Sequence, residues 1–253
     1  GLPAIAHAYQ YSETNISTMY GWNKKVVFPN NPPLDDKGDT FATDVTTIEH
    51  FSSTFYGGNY FFFDIENFTG DAVGNTGAGG AEIYGEYTSS FSYNKLTGGD
   101  IGVGPLTDVS LAVQGNFGGG GDSRVGLVGP RFNFAVPGFN FVHMTAFWRN
   151  DFNAPDHTYQ VTWVWNTDFN VGENRFVFEG YIDYVLEGNG SNVFGSGEHQ
   201  ANSNGAPRFL LDVGNYWGQQ NKFLVGTEVQ YWINKFGSDE DEINPQIYAE
   251  YVF

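Results

Sequence analysis

The sequence contains no cysteine and no apolar run long enough to form a membrane-spanning helix. The first absence excludes disulfide bonds, thiolate chemistry and a lipid-anchored amino-terminal cysteine. The second excludes a helical membrane protein, because a spanning helix needs about 18 or more consecutive apolar residues. If the chain lies in a membrane, it must form a closed β-barrel, since only helices and closed barrels satisfy every backbone polar group in lipid.

Basic residues are scarce: 11 Lys and Arg stand against 29 Asp and Glu, for a formal net charge of −18. This balance argues against nucleic acid polymers and other polyanions as partners. Aromatic residues make up 18% of the 253 residues, and 34 glycines supply the turns that many short strands need. The composition indicates an all-β chain whose outer face meets an apolar environment.

Many segments alternate between apolar and polar residues, with carboxylates and amides confined to one face. The last segment places Ile247, Ala249, Tyr251 and Phe253 opposite Gln246, Tyr248, Glu250 and Val252. This period of two is typical of a strand with one apolar face. Such segments predict about twelve strands, an even number as in bacterial single-chain barrels. They lie near residues 14–22, 43–54, 59–67, 81–93, 106–116, 123–135, 139–149, 157–167, 175–186, 207–214, 222–235 and 243–253.

We therefore predict one domain, residues 1–253, that forms a closed antiparallel transmembrane β-barrel in the bacterial outer membrane after removal of a signal peptide. Both termini are expected to be periplasmic, with residues 1–13 as a periplasmic segment. The long connections near 23–42, 68–80 and 187–206 would then be outer loops. The connection from Asn94 to Pro105 is longer than a periplasmic turn should be. A soluble sandwich or lipocalin-like barrel also alternates, but it would turn the aromatic face inward and the acids outward.

The carboxyl end, with Phe253 preceded by Tyr251, resembles the signal by which outer-membrane barrels are assembled. Six further strings carry a more specific resemblance: NYFFFDIENF (59–68), EIYGEYTSSFSYNKLTG (82–98), VPGFNF (136–141), TYQVTWVWN (158–166), FLLDVG (209–214) and VQYWINKFG (229–237). In this order they resemble the Tsx/OmpK family of nucleoside-specific channel-forming outer-membrane proteins, over about residues 43–253. The resemblance implies a monomeric twelve-stranded barrel with a narrow, nucleoside-binding lumen, and some members also act as phage receptors.

If the aromatic face points to lipid, rings and charged groups interleave in the lumen. The candidate solute-binding residues are Tyr60, Phe62, Asp64, Glu82, Tyr84, Glu86, Arg131, His143, Arg149, Glu179, Asp183, Arg208, Asp212, Glu228, Trp232, Tyr248 and Glu250. Either face of residues 141–149 could point inward, and we favour the face with Phe141, His143, Thr145, Phe147 and Arg149, because Arg149 at lipid depth would be costly.

Aromatic platforms with acceptor side chains suit a nucleoside, since stacking contributes about 1–3 kcal/mol per base. The same carboxylates would repel phosphate, which predicts a preference for nucleosides over nucleotides. Alternatively, the acids only pair with Arg131, Arg149 or Arg208 in a lumen filled with side chains. No cofactor and no metal site is expected.

Two alternatives to a channel and one further motif follow from the sequence. A plugged barrel would serve as a surface receptor or a structural protein, in contact with lipids and lipopolysaccharide. The string HQANSNG (199–205) faintly resembles outer-membrane phospholipases, but its spacing is wrong and we expect a loop there, so we do not predict an enzyme. The acidic run Asp239 to Glu242 is expected in the last outer loop, as a solvated charge run or as a site for divalent cations that bridge to lipopolysaccharide.

Overall fold

The chain folds as one closed sheet of twelve antiparallel strands. The computed structural model describes residues 9–25, 38, 40–69, 81–119, 123–152, 157–189 and 198–253. The strands are β1 (Tyr9–Lys25), β2 (Thr40–Thr54), β3 (Gly57–Thr69), β4 (Ala81–Ser92), β5 (Leu106–Gly118), β6 (Ser123–Phe134), β7 (Phe141–Asp151), β8 (His157–Val171), β9 (Asn174–Val185), β10 (Asn202–Gly205 and Arg208–Asp212), β11 (Phe223–Ile233) and β12 (Glu242–Val252). A one-turn helix, α1 (Tyr93–Thr97), follows β4.

Each strand pairs with its neighbours in sequence, and the last strand pairs with the first. The β1–β12 seam runs from Asn15 opposite Val252 to Gly21 opposite Gln246. Beyond it, the backbone N–H of Phe253 donates to the carbonyl of Thr14 at 3.0 Å. The seam closes the barrel and leaves no edge strand, so the predicted twelve-stranded closed barrel is confirmed.

The alternation along β12 shows which face is which. Ile243 and Ile247 are 63% and 62% exposed, whereas Gln246 and Tyr248 between and beside them are 3% and 1% exposed. The apolar face therefore points outward and the amide-bearing face points into the barrel. A water-soluble barrel would have the reverse arrangement, which excludes the soluble alternative.

Strand β7 has the predicted orientation. Thr145 and Phe147 are almost completely buried inside, whereas Trp148 is 41% exposed on the outer wall. Arg149 donates to Gln160 of β8 at 2.7 Å, on the inner face. The cost of an arginine at lipid depth thus predicted the register of this strand correctly.

The two ends of the barrel differ. At one end, here called the turn end, two residues join β2 to β3 and two join β8 to β9, and the start of β1 and the end of β12 lie there as well. The opposite end, here called the loop end, carries the connection between β11 and β12. Of the predicted outer loops near 23–42, 68–80 and 187–206, residues 26–37, 39, 70–80 and 190–197 lie outside the described residues.

The connection from Asn94 to Pro105 is long because it contains α1. The Ser92 hydroxyl accepts a hydrogen bond from the backbone N–H of Lys95, and Gly98 ends the helix with φ +68°. The Lys95 ammonium then reaches the β2–β3 turn, where it donates to the Ser53 hydroxyl and the Thr54 carbonyl, both at 2.9 Å. The helix therefore braces the turn end of the barrel. Among the described helices none is long and apolar enough to cross a membrane.

Two predicted boundaries were wrong. β1 begins at Tyr9 and pairs with β2 from there, so residues 9–13 of the predicted periplasmic segment belong to a strand. In addition, Asn202–Gly205, assigned to an outer loop, pairs with β9 and β11 and belongs to β10. Pro207 interrupts β10 after this segment, because proline has no backbone N–H to donate to the ladder.

Rings gather on the outer wall near both ends of the strands. Near the turn end, the Phe209 ring centroid lies 5.4 Å from Phe176 and 6.3 Å from Phe169. Near the loop end, Tyr20 and Trp22 lie 6.5 Å apart. Paired belts of aromatic side chains are typical of barrels whose walls meet the two interfaces of a bilayer.

Candidate solute path in the barrel lumen

The guanidinium of Arg208 contacts carboxylates on three other strands of the barrel. Arg208 on β10 lies directly opposite Glu179 on β9 and Glu228 on β11. Its Nε donates to Glu228 Oε2 at 2.6 Å, and its Nη1 lies 3.6 Å from Glu179 Oε1. Nη1 also lies 3.6 Å from Oε2 of Glu49 on β2. Since β11, β12 and β1 separate β10 from β2, this last contact crosses the lumen.

The surroundings of Arg208 fix it in place. The Tyr248 ring lies under the guanidinium, with its centroid 5.0 Å from the guanidinium carbon. Gln246 donates to Glu228 at 2.9 Å, and Asn166 donates to Glu179 at 2.7 Å. With its carboxylates hydrogen-bonded in this way, the cluster narrows the lumen at this level, and we call it the constriction.

Glu49 was not among the predicted lumen residues. It lies two positions after the inward Thr47, so the alternation of β2 could have identified it. Its Oε1 accepts from Asn15 at 3.3 Å, and its Oε2 accepts from the Tyr60 hydroxyl at 2.9 Å. Glu49 therefore joins the constriction to the aromatic side chains of β3.

Three inward rings follow one another from β3 to β4. Phe62 lies between Tyr60 and Tyr84, with ring centroids 6.1 and 6.0 Å apart. The hydroxyl of Tyr60 donates to Glu49, and that of Tyr84 donates to Glu86 at 2.5 Å. We call Tyr60, Phe62 and Tyr84 the ring ladder. It offers apolar faces beside hydrogen-bond acceptors, which is the combination that a nucleoside requires.

Polar groups of β4 and β5 extend from the ring ladder. Glu86 accepts hydrogen bonds at 2.8 Å from both Gln114 and Asn116 on β5. On β2 and β3, the Thr47 hydroxyl donates to Asp64 at 2.6 Å. Asp64 and Glu86 therefore hydrogen-bond to neutral groups, and the alternative in which the acids only pair with arginine does not hold for these two.

The opposite wall carries both signs of charge. On β8 and β9, the Thr162 hydroxyl donates to Asp183 at 2.5 Å, and Gln160 connects Arg149 to Thr162. On β6, the Nε of Arg131 donates to the Thr145 hydroxyl at 3.1 Å. The structure thus brings Arg131, Arg149 and Asp183 to the inner face as predicted.

The remaining predicted residues have different surroundings. Asp212 lies at the turn end, where it accepts from the backbone N–H of Asn221 at 2.7 Å and lies 3.8 Å from Arg175, so it holds a turn. Trp232 packs on Phe236 near the loop end, with centroids 4.7 Å apart. Glu250 accepts from the Tyr248 hydroxyl at 2.7 Å, inside the barrel.

The acidic run from Asp239 to Glu242 is not a free, solvated cluster. Glu242 begins β12, is 1% exposed and forms a buried ion pair with Lys235. Glu240 lies 3.3 Å from Lys25. Burial lowers the pKa of Lys235 to about 8, and the Glu242 carboxylate beside it opposes this shift. The prediction of a solvated run was therefore wrong for Glu240 and Glu242, which pair with lysines and hold the last connection to the barrel, whereas Asp239 and Asp241 are exposed.

Residues 202–205 of the phospholipase-like string belong to the barrel wall. Ser203, in the phospholipase-like string, lies on β10 and donates its hydroxyl to the backbone carbonyl of Asp183 at 2.8 Å. No group of three or more His, Asp or Glu side chains in the described part of the chain could hold a metal ion. The inner face therefore offers hydrogen bonds and stacking to a solute.

A closed antiparallel barrel with an apolar, ring-belted wall and a polar interior defines the class of outer-membrane β-barrel proteins. The family model described as "Nucleoside-specific channel-forming protein, Tsx" matches residues 19–253. The chain belongs to this family, and the match extends the resemblance seen in the sequence towards the amino terminus.

Two relatives carry the name "Outer membrane protein OmpK". The protein from Vibrio parahaemolyticus is 25% identical over 185 residues, which cover 72% of this chain and 65% of the relative. The protein from Vibrio parahaemolyticus serotype O3:K6 (strain RIMD 2210633) is 26% identical over 205 residues, which cover 76% and 72%. The first match therefore spans slightly less than two thirds of the relative's length.

Among solved structures, a KdgM porin has a TM-score of 0.50 at 9% sequence identity, with 94% of this chain and 99% of that chain covered. At this identity the likeness concerns the fold alone. It agrees with the closed porin-like barrel described above.

Proposed function

We propose that this protein is a monomeric outer-membrane channel for the passive diffusion of nucleosides or similar small solutes, with both termini in the periplasm. The observation that carries the proposal is the ring ladder. Tyr60, Phe62 and Tyr84 face the lumen, and the carboxylates of Glu49 and Glu86 lie at its two ends. A base can stack on the rings while ribose hydroxyls donate to the carboxylates.

The charge of the lumen supports neutral solutes over phosphorylated ones. At the constriction, one guanidinium faces Glu49, Glu179 and Glu228. Phosphate channels line their path with rings of Lys or Arg instead. A nucleotide approaching this level would meet excess negative charge, so the proposed channel prefers a nucleoside to its phosphate ester.

Liposome swelling with the purified protein tests the proposal. Inosine and adenosine should enter faster than a disaccharide of similar mass, and a nucleoside monophosphate should enter more slowly than its nucleoside. Replacing Phe62 with Ala should remove most of the nucleoside advantage, because the central ring of the ladder is lost. Equal entry of nucleosides and sugars would contradict the proposal.

A plugged barrel that serves as a receptor or structural protein is the second candidate, and the cross-lumen contact between Arg208 and Glu49 favours it. Seven inward apolar side chains add to the filling of the interior: Met19, Val45, Val177, Leu210, Leu224, Tyr248 and Val252. Single-channel recording in planar bilayers separates the two candidates. Discrete conductance steps support the channel, and their absence supports the plugged barrel.

Two partners complete the proposal. The outer wall would contact membrane lipids and, at the loop end, lipopolysaccharide. The barrel assembly machinery would bind the last strand, where the Tyr251 and Phe253 rings lie 5.4 Å apart and edge to face. No covalent chemistry and no cofactor takes part.

A further inference from the structure

Arg131 is a lumen cation without a carboxylate partner. Its Nε donates to Thr145, but within the described ranges its Nη1 and Nη2 have no hydrogen-bond partner and no acid lies within 4.0 Å. Arg208 and Arg175, by contrast, each contact two or more carboxylates. Four of the five N–H groups of Arg131 are therefore available to a solute.

The residues directly opposite Arg131, Ser110 on β5 and Thr145 on β7, are neutral. The carboxylate of Asp108, one inward position along β5, accepts hydrogen bonds from the Ser110 hydroxyl at 3.4 Å and from the backbone N–H of Asn94 at 3.2 Å. The next inward residue of β6, Asn133, donates to the Ser110 hydroxyl at 3.4 Å. Because guanidinium is a donor in a fixed planar fork and never an acceptor, this patch of the wall selects for acceptor oxygens.

An aromatic platform lies beside this donor. Asn133 is opposite His143, which places His143 diagonally across from Arg131. The rings of His143 and Phe141 are stacked, with centroids 5.9 Å apart and an angle of 18° between planes. Phe141 is on the inner face yet 45% exposed, so the platform is open to solvent from the turn end.

We propose that Arg131, Phe141 and His143 form a subsite for bases that carry a carbonyl oxygen, which makes the channel selective for oxo-bearing nucleosides. This inference rests on the proposed function and specifies its substrate class. A base stacked on Phe141 and His143 presents its edge to Arg131. A carbonyl oxygen at this edge accepts hydrogen bonds from the free N–H groups of the guanidinium. An amino group at the same position is itself a donor and leaves the guanidinium unmatched.

Inosine and adenosine provide the sharpest comparison, because they differ mainly in having an oxo or an amino group at one ring position. Hydrogen bonds to charged groups are strong enough that the wild-type protein should favour inosine by about five- to ten-fold. The preference should appear in the concentration that half-blocks single-channel current and in liposome entry rates.

Variants assign the preference to the guanidinium. Arg131→Gln should reduce the inosine preference to near unity, and Arg131→Lys should retain part of it, since an ammonium still donates but loses the fork. Lys222→Gln, which removes a cation from the connection before β11 at the turn end, should keep the full preference. Heat-modifiable migration on gels verifies that each variant is folded before it is measured.

The outcomes separate this inference from the proposed function. If nucleosides outpace sugars but inosine and adenosine behave alike, the inference is wrong and the nucleoside channel stands. If Arg131→Gln keeps the inosine preference, the subsite lies elsewhere and the inference is also wrong. If no nucleoside outpaces a sugar, the proposed function itself fails. Loss of the preference in Arg131→Gln with a retained advantage over sugars supports both.

Discussion

The Nη1 atom of Arg208 lies 3.6 Å from Oε2 of Glu49, although β11, β12 and β1 separate their strands around the barrel. The contact spans the lumen, whereas the pairs with Glu179 and Glu228 lie within the wall. Arg208 can therefore remain anchored in the wall when Glu49 releases it. We therefore expect the width of the path at this level to depend on this contact across the lumen.

Glu49→Gln should widen the constriction. The neutral amide loses most of its attraction for Arg208, which stays bonded to Glu228 at 2.6 Å. We expect single-channel conductance to rise on the order of two-fold, with little loss of stability. Glu228→Gln is the matched control, since it removes the nearest wall partner and should lower stability without raising conductance. Unchanged conductance in Glu49→Gln would show that the constriction lies elsewhere.

Ile247→Arg should destabilise the folded barrel strongly. Ile247 is 62% exposed in the middle of β12, and a charge at this depth would lie in acyl chains. The expected loss is about 2–4 kcal/mol in the free energy of unfolding. Ile247→Leu, which keeps an apolar side chain, should cost less than about 1.5 kcal/mol. Urea unfolding in lipid vesicles measures both, and equal stabilities would contradict the assigned outer face.

Gly129→Ala should disturb the pairing of β6 with β7. A Cβ at Gly129 would lie 1.9 Å from the backbone oxygen of Ala146, so the two strands must move apart. We expect a loss of at least about 1–3 kcal/mol. Gly115→Ala is the control, because a Cβ there has no atom within 4 Å. The fraction of heat-modifiable protein after refolding should fall only in Gly129→Ala. Similar refolding of both variants would contradict the close approach of Gly129 to the backbone of Ala146.

Removal of one partner of the Lys235–Glu242 pair should lower the free energy of unfolding more than removal of both partners. The side chains are 2% and 0% exposed, so Lys235→Met leaves a buried carboxylate without its cation. This should cost about 3–5 kcal/mol. The double variant Lys235→Met with Glu242→Leu should recover most of that loss, because the apolar pair fills the same space. A double variant as unstable as the single one would indicate that the pair itself stabilises the connection.

The lowered pKa of Lys235 predicts that the free energy of unfolding depends on pH. Its folded pKa of about 8 is below the unfolded value of 10.5. Between these values the unfolded chain binds a proton that the folded chain does not, so stability rises with pH. The unfolding free energy of the wild-type protein should therefore rise relative to Lys235→Met from pH 8 to 10.5. A relative fall over this window would mean that Glu242 outweighs burial.

Alternation predicted most of the barrel wall, and for β7 the cost of an arginine in lipid chose between its two faces. The faces of β7 and β12 follow from a period of two and from the cost of Arg149 in lipid, and both are confirmed. Local signals failed where they were ambiguous. Asn202–Gly205 has the composition of a turn, and only its neighbours β9 and β11 make it a strand.

The contacts within the lumen could not be read from the sequence for a different reason. Glu49 and Arg208 are 159 positions apart in the numbering, and their meeting depends on how far the strands are staggered around the closed sheet. The burial of Glu242 likewise depends on Lys235 folding back from the preceding connection. The charge composition predicts that the lumen is negatively charged, but it does not predict which charged residues pair.

The seam between β1 and β12 makes closure of the barrel depend on the last strand. Since Asn15 to Gly21 bond to the final strand, the sheet has no stable closed form until the last residues are available. A chain that lacks β12 would expose two unpaired edges and an open interior. We therefore expect that copies without β12 cannot close the barrel and that their unpaired edges are open to aggregation and proteolysis.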